Sequence, residues 1–115
     1  MIAHIVLFEP KPDISPDQRA AFLAALKDAV TGIEDVQSAR IGRPINIGVM
    51  PETNGSHMTY SYAAVLEFAD IAGLNRYLEH PRHDQLRRIF WETCQSTLIV
   101  DADLSDVGAF AVNER

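Results

Sequence analysis

The 115-residue chain contains a single cysteine, Cys94, and therefore cannot form an internal disulfide. Structural disulfides belong to oxidising compartments, so we expect a reducing, cytoplasmic location. Basic residues are scarce too, since 10 Lys and Arg against 16 Asp and Glu leave a net charge of −6. An acidic protein repels phosphate groups, and neither nucleic acid nor an anionic membrane surface is an expected partner.

Long apolar runs are also absent. No run approaches the roughly 18 residues that a membrane-spanning helix requires. The apolar start, Met1 to Phe8, has no basic flank and no small-residue cleavage site, so it indicates a strand rather than a signal peptide. The length and the 47% share of hydrophobic residues suit one domain with a modest core.

Seven segments have the patterns of regular structure. Strands are predicted at residues 3–8, 40–45, 59–68 and 97–101, and helices after Ser15, after Asp70 and from about Arg82 to Cys94. Ser15 and Gln18 match a capping box, Pro44 indicates an edge strand or a bulge, and residues 50–58 are typical of a loop. This order predicts an α+β sandwich, with a four-stranded antiparallel sheet and the helices on one face.

The first and third strands are apolar on both faces, which is typical of strands that are buried on both faces. In the first strand, Ile5 and Leu7 share one face, and His4, Val6 and Phe8 share the other. The helices cover one face of the sheet, and we expect a second copy of the chain to cover the other. The alternative cover is a C-terminal tail, residues 104–115. We expect a ligand pocket between the two sheets.

The most informative segment is Asn75 to His83, which gathers Tyr77, His80 and His83 around a helix break. A neutral imidazole can accept a proton near pH 7, and a phenol can donate a hydrogen bond to a developing oxyanion. Such a pair could remove a proton next to a carbonyl group. The alternative, which the spacing alone favours, is structural: His80 ends one helix and His83 begins the next.

The same two histidines have a spacing that occurs in some metal sites. His80 and His83 are three residues apart, but Pro81 separates them, and no Cys or acidic residue stands at a matching offset. Several ligands must converge to hold a metal ion, and the spacing provides two. No metal site is therefore predicted.

Four further side chains are open between structural and functional roles. His4 is either a satisfied core histidine or a pocket residue that points into the space between the sheets. Tyr60 and Tyr62 are expected in the core or the wall of a pocket. Trp91 is expected to take part in core aromatic packing.

The chain resembles the stress-responsive A/B barrel (Dabb) domain family, within the dimeric α+β barrel superfamily. The matching pieces are His4-Ile5-Val6-Leu7-Phe8, Phe68, Tyr77 with the His80-Pro81-Arg82-His83 motif, and Phe90-Trp91-Glu92. The likeness spans residues 2–103, and the His-Pro-x-His motif is its most specific part. It implies a ferredoxin-like subunit and a homodimer whose sheets close a barrel, with the domain at residues 1–103 and a tail at residues 104–115.

Most members of this family have no established activity. One plant branch, similar to olivetolic acid cyclase, closes a linear polyketide by an aldol reaction without a cofactor. The resemblance implies that His83 is the base, that Tyr77 helps to hold the substrate carbonyl, and that His4 lies in the pocket. The chain departs from that branch at Tyr62, where the branch has a histidine, and in a longer loop at residues 46–58.

These considerations lead to three hypotheses about function. The first is a stress-associated homodimer with a small-molecule pocket. The second is a cofactor-free lyase or cyclase that uses His83 and Tyr77, and the third is a cofactor-independent monooxygenase. The candidate substrate-binding residues are His4, His80, Tyr60 and Tyr62, and no cofactor is expected.

Overall fold

The computed structural model describes residues 1–45 and 60–111. The elements follow in the order β1 (Ile2–Pro10), α1 (Pro16–Gly32), β2 (Ser38–Gly42), β3 (Tyr62–Phe68), α2 (Ile71–Glu79), α3 (Pro81–Thr93) and β4 (Cys94–Asp103), with a 3-10 turn at Val107–Ala109. The whole segment at residues 46–58, which includes the loop predicted at residues 50–58, lies outside the described residues. Residue 59, the first of the predicted third strand, also lies outside them.

The four strands form one sheet in the order β2-β3-β1-β4, and every neighbouring pair is antiparallel. The predicted α+β, ferredoxin-like fold is therefore confirmed. β1 lies in the middle of the sheet, and its register places His4 across from Leu66 on one side and from Asp101 on the other. β2 is an edge strand, and Pro44 lies beyond its end, where its missing N–H group interrupts no ladder.

Local hydrogen bonds set the starts of the helices. At α1, the Gln18 amide donates to Ser15 Oγ at 3.1 Å and the Ser15 amide donates to Gln18 Oε1 at 2.8 Å, which completes the predicted capping box. At α2, the Asp70 carboxylate accepts a hydrogen bond from the Gly73 amide at 2.8 Å. His80 follows α2 and caps α3, because its Nδ1 accepts from the Arg82 amide at 3.1 Å.

The helices cover one face of the sheet, and the core lies between the helices and the sheet. Its largest members are Ile2, Phe8, Phe22, Ile33, Leu66, Phe68, Leu74, Tyr77 and Leu86. The residues of β1 and β3 that contribute to this core alternate with residues on the other face, as the pleat of a strand requires. Phe8, Phe22 and Phe90 meet in edge or tilted contacts with centroids 5.3–5.6 Å apart.

The opposite face of the sheet is apolar and open in the single chain. Val65, Leu98 and Val100 are 38%, 46% and 46% exposed, and they are the ladder partners or neighbours of the half-buried Ile5 and Leu7. The described part of the tail, through residue 111, leaves these side chains uncovered. Val107 and Phe110, which could have packed on the face, are themselves exposed.

Two expectations about individual side chains are wrong. For His4, the alternative that placed it with Val6 and Phe8 in the space between two sheets is wrong, because these side chains lie on the face that the helices cover. His4 is buried there and hydrogen-bonded to Asp101, in line with the other alternative, a satisfied core histidine. The helices are near enough to β1 to bury that face, so the open face is the one with Ile5 and Leu7. Trp91 was expected in the core but is 75% exposed, because α3 turns Leu86 and Thr93 inward instead.

Candidate active site

The main cavity lies between the sheet and the helices of the chain and has a volume of about 530 Å³. Its walls are mostly apolar and come from β1, β3, β4 and all three helices. The polar side chains that matter for chemistry are His4, Tyr77, His83 and Arg87. The exposed Trp91 and Ile99 also line the cavity, and they mark the side on which it opens to solvent.

Tyr77 lies between two imidazoles. Its ring centroid is 4.8 Å from that of His83 and 5.9 Å from that of His4, and both contacts are edge-to-face. The helix break at Pro81 produces this arrangement, since Tyr77 lies in the last turn of α2 and His83 lies in the first turn of α3. His4 reaches the same place from the central strand.

The His83 imidazole is neutral at pH 7 because burial lowers its pKa, and the nearby positive charge of Arg87 lowers it further. His4 has a smaller effect in the same direction, while Asp84 and the backbone carbonyl of Leu78 oppose it. The Nδ1 atom is sealed from solvent and makes no hydrogen bond of normal geometry with the described residues. The Leu78 carbonyl is thus near the ring but outside hydrogen-bond geometry.

The Tyr77 phenol stays protonated at neutral pH, since burial raises its pKa to about 12. The side chain is almost completely buried and also packs against Phe68, with centroids 5.1 Å apart. A protonated phenol in such a place is a hydrogen-bond donor with a fixed position.

The buried His4 ring is tied to β4 by a short hydrogen bond. Its Nδ1 lies 2.5 Å from Oδ1 of Asp101, the residue directly across the ladder. The contact holds the ring on the cavity side of the sheet. An ionised carboxylate can only accept, so Nδ1 carries the proton in this pair.

The predicted site residues separate into two groups. The structure brings His4, Tyr77 and His83 together around the main cavity. His80 does not line it and instead caps α3. Tyr62 lines a second cavity, and Tyr60 lines neither of the two.

Sequence reasoning missed Asp101, Arg87 and the exposed position of Trp91. Asp101 could have been found by pairing the first and last strands as antiparallel neighbours, which brings it opposite His4. Arg87 lies four residues after His83, on the same face of a helix, and this spacing could have identified it. The inward stripe of α3 has the helical spacing 0, 3, 4 and 7 at Leu86, Ile89, Phe90 and Thr93, so this spacing could have predicted that Trp91 points away from the core.

Among residues 1–45 and 60–111, no three His, Cys, Asp or Glu side chains converge closely enough to hold a metal ion. Within the same ranges, no helix combines the length and the apolar character needed to cross a membrane.

Solved structures with the same fold include three informative neighbours. A Dabb family protein from Mesorhizobium loti is 25% identical, with a TM-score of 0.72, and the match covers 91% of this chain and 97% of that one. A dimeric ferredoxin-like protein from Thermobifida fusca is 23% identical, with a TM-score of 0.69 and 90% of both chains covered. The hydroxynitrile lyase from Passiflora edulis is 15% identical, with a TM-score of 0.75 and coverage of 92% and 94%.

No curated protein matches the chain in sequence. The profile of the stress responsive A/B barrel domain matches residues 2–104, which is most of the chain. That span contains all the elements from β1 to β4 and every residue of the site described above. The chain therefore belongs to the stress responsive A/B barrel domain (Dabb) family.

Proposed function

We propose that the protein is a homodimer that binds a small carbonyl compound in the main cavity and acts on it as a cofactor-free lyase or cyclase. His83 is the base and Tyr77 is the hydrogen-bond donor. The observation that carries this proposal is the pairing of a neutral imidazole with a protonated phenol, 4.8 Å apart, in a largely apolar cavity. Such perturbed groups in one cleft are typical of active sites.

The dimer rests on the open face of the sheet. Val65, Leu98 and Val100 form a continuous apolar surface with Ile5 and Leu7, and the described tail does not cover it. An equivalent face on a second copy, about 10 Å away, would remove these side chains from water. The Thermobifida fusca neighbour, which has the same fold, is dimeric.

The proton transfer uses the Nε2 atom of His83. Because Nδ1 is inaccessible, a molecule in the cavity can meet the imidazole lone pair only at Nε2. That requires the tautomer with its proton on Nδ1. Nε2 then takes a proton from the carbon next to the substrate carbonyl and leaves an enolate.

Two groups stabilise the negative charge of the enolate oxygen. Tyr77 donates a hydrogen bond to it, and Arg87, which lines the same cavity, provides a positive charge that its ion pair with Asp84 partly offsets. The enolate carbon attacks a second carbonyl carbon of the substrate to form a C–C bond. The new alkoxide takes the proton back from Nε2, so the imidazole returns to its neutral form.

The cavity favours an apolar substrate of moderate size. Its volume of about 530 Å³ falls within the range of small-molecule sites, and Val6, Leu66, Phe90 and Ile99 contribute to its walls. The Passiflora edulis neighbour is a hydroxynitrile lyase, which is an example of lyase chemistry on this fold in another protein. The likeness to this chain is one of fold.

The test is the exchange of the acidic C–H protons of 1-phenyl-1,3-butanedione in D₂O, followed by NMR. We expect the protein to accelerate the exchange, His83→Gln to lower the rate by about 10²–10⁴-fold, and Tyr77→Phe to lower it less. His80→Asn is the matched control, because asparagine can still cap α3 and position 80 lies outside the cavity. Equal exchange by the wild type and His83→Gln would overturn the proposal.

A further inference from the structure

We propose that a second cavity binds a small amphipathic carboxylate, independently of the chemistry at His83. This cavity has a volume of about 350 Å³ and lies between α1 and the ends of β1, β2 and β3. It shares Phe8, Phe22 and Cys94 with the main cavity, so these three side chains separate the two spaces. Neither His83 nor Tyr77 lines it.

The interior of the second cavity suits an apolar body. Its walls include Ile14, Phe22, Leu23, Ile41 and the ring of Tyr62. Ile41 and Leu23 are both partly exposed, so a ligand would remove apolar surface from water. The cavity is large enough for a chain of several carbon atoms or a single aromatic ring.

The charge at the second cavity is positive, although the chain as a whole is acidic. Arg19 and Arg43 both line it, and neither forms an ion pair with any residue in 1–45 or 60–111. By contrast, Arg76, Arg82 and Arg87 each pair with an aspartate. Two guanidinium groups that have no ion-pair partner among the described residues, beside an apolar space, fit an anion with an apolar body.

The geometry of Arg43 favours a carboxylate. Its guanidinium carbon lies 5.3 Å from the centroid of the Tyr62 ring, which is a cation–π contact. The aromatic ring fixes the guanidinium position while the N–H groups remain able to donate two parallel hydrogen bonds. Arg19 adds a second charge from α1, near the positive N-terminal end of that helix.

Octanoate is the probe, and isothermal titration calorimetry on the full-length protein measures its affinity. We expect Arg43→Gln and Arg19→Gln each to weaken binding by about tenfold, because each removes a charge-assisted hydrogen bond. Arg88→Gln, an exposed arginine outside both cavities, is the matched control and should leave the affinity unchanged. 1-Octanol, which has no charge, should bind about tenfold more weakly than octanoate.

A pair of filling variants identifies the cavity that is occupied. Ile41→Trp should abolish octanoate binding, since Ile41 lines the second cavity, whereas Ile99→Trp should block the main cavity and leave octanoate binding intact. The proposal would be overturned if Ile99→Trp, and not Ile41→Trp, abolished octanoate binding, or if the wild type did not bind octanoate. It would also be overturned if 1-octanol or inorganic phosphate bound as tightly as octanoate. His83→Gln should bind octanoate normally, so failure of the proposed catalysis would leave this result unaffected.

Discussion

Asp101 stands directly across from His4 in the β1–β4 ladder, and its Oδ1 accepts a hydrogen bond from His4 Nδ1 at 2.5 Å. The pair joins the central strand to an edge strand on the side of the sheet that forms the cavity floor. It also fixes the orientation of a buried imidazole that contacts Tyr77. A cross-strand pair of this kind contributes to the stability of the sheet and to the shape of the site.

Replacing Asp101 should therefore destabilise the fold. We expect Asp101→Ala to lower the free energy of unfolding by about 1 kcal/mol, since a buried ring N–H loses its partner while the carboxylate itself is half exposed. Urea denaturation measures the change. Asp103→Ala, two residues further along β4 and without a described ion pair, is the control, and an equal loss in both variants would contradict the role of the pair.

The pKa of His83 should lie below 6.5 and should depend on Arg87. Burial is the main cause of the lowered value and the charge of Arg87 is the second, so Arg87→Gln should raise the pKa part of the way toward 6.5. NMR titration of the imidazole C–H signals measures both values. Arg88→Gln is the control and should leave the pKa of His83 unchanged. If Arg88→Gln shifted this pKa as much as Arg87→Gln does, the effect would come from the net charge and not from Arg87.

The lowered pKa of His83 makes the free energy of unfolding depend on pH. The pKa of His83 is lower in the folded protein than in the unfolded chain, so the unfolded chain binds the proton first as the pH falls. The contribution of His83 to the free energy of unfolding is complete above pH 6.5. It is lost as the pH falls from 6.5 to the pKa of His83 in the folded protein. His83→Gln should flatten the pH dependence of the unfolding free energy in that window, and an unchanged slope would contradict the assignment.

Tyr77 should make the free energy of unfolding fall as the pH rises in the alkaline range, whereas the His83 contribution is lost as the pH falls. Burial raises its pKa to about 12, whereas the phenol of an unfolded chain ionises near 10. Its contribution is complete below pH 10 and is lost as the pH rises toward 12, to a total of about 2–3 kcal/mol. Tyr77→Phe should remove this loss in urea denaturation at pH 9 and 11, and the absorbance titration at 295 nm should lack its last step.

Local patterns in the sequence predicted most of the fold. Ser15 with Gln18, Asp70, and the proline at position 81 each act through neighbouring backbone groups, so the helix starts could be inferred without knowledge of the tertiary structure. The alternation in the third strand likewise separates Ala64 from Val65. The α+β order then restricts how the strands pair.

The location of the site could not be predicted in the same way. Both faces of β1 are apolar, and alternation alone cannot decide which of them the helices cover. The cavity was consequently expected between the sheets, and one of the two alternatives for His4 placed its side chain there. His4 and Asp101 are 97 residues apart in the chain and meet only through the β1–β4 register, which no local pattern encodes.

The open face of the sheet leads to the last prediction, which concerns assembly. Val65 and Leu98 are on this face, in β3 and β4, and the same face of a second copy would bury them. A charge there would lie unpaired in the interface, so Val65→Lys or Leu98→Glu should raise the dimer dissociation constant by about 100-fold. Analytical ultracentrifugation would then show a shift from twice 12.8 kDa toward 12.8 kDa at micromolar concentration.

Ile71→Lys is the control for this prediction. Ile71 is exposed, at 60% against 38% for Val65, but it lies on α2, away from the sheet face, so its replacement adds the same charge outside the proposed interface. Circular dichroism establishes that the variants remain folded. If the wild type sediments as a stable monomer, or if Ile71→Lys dissociates as readily as Val65→Lys, the sheet face does not form the dimer. The exposed Val65, Leu98 and Val100 would then need another cover, since a face of this kind is unfavourable in water.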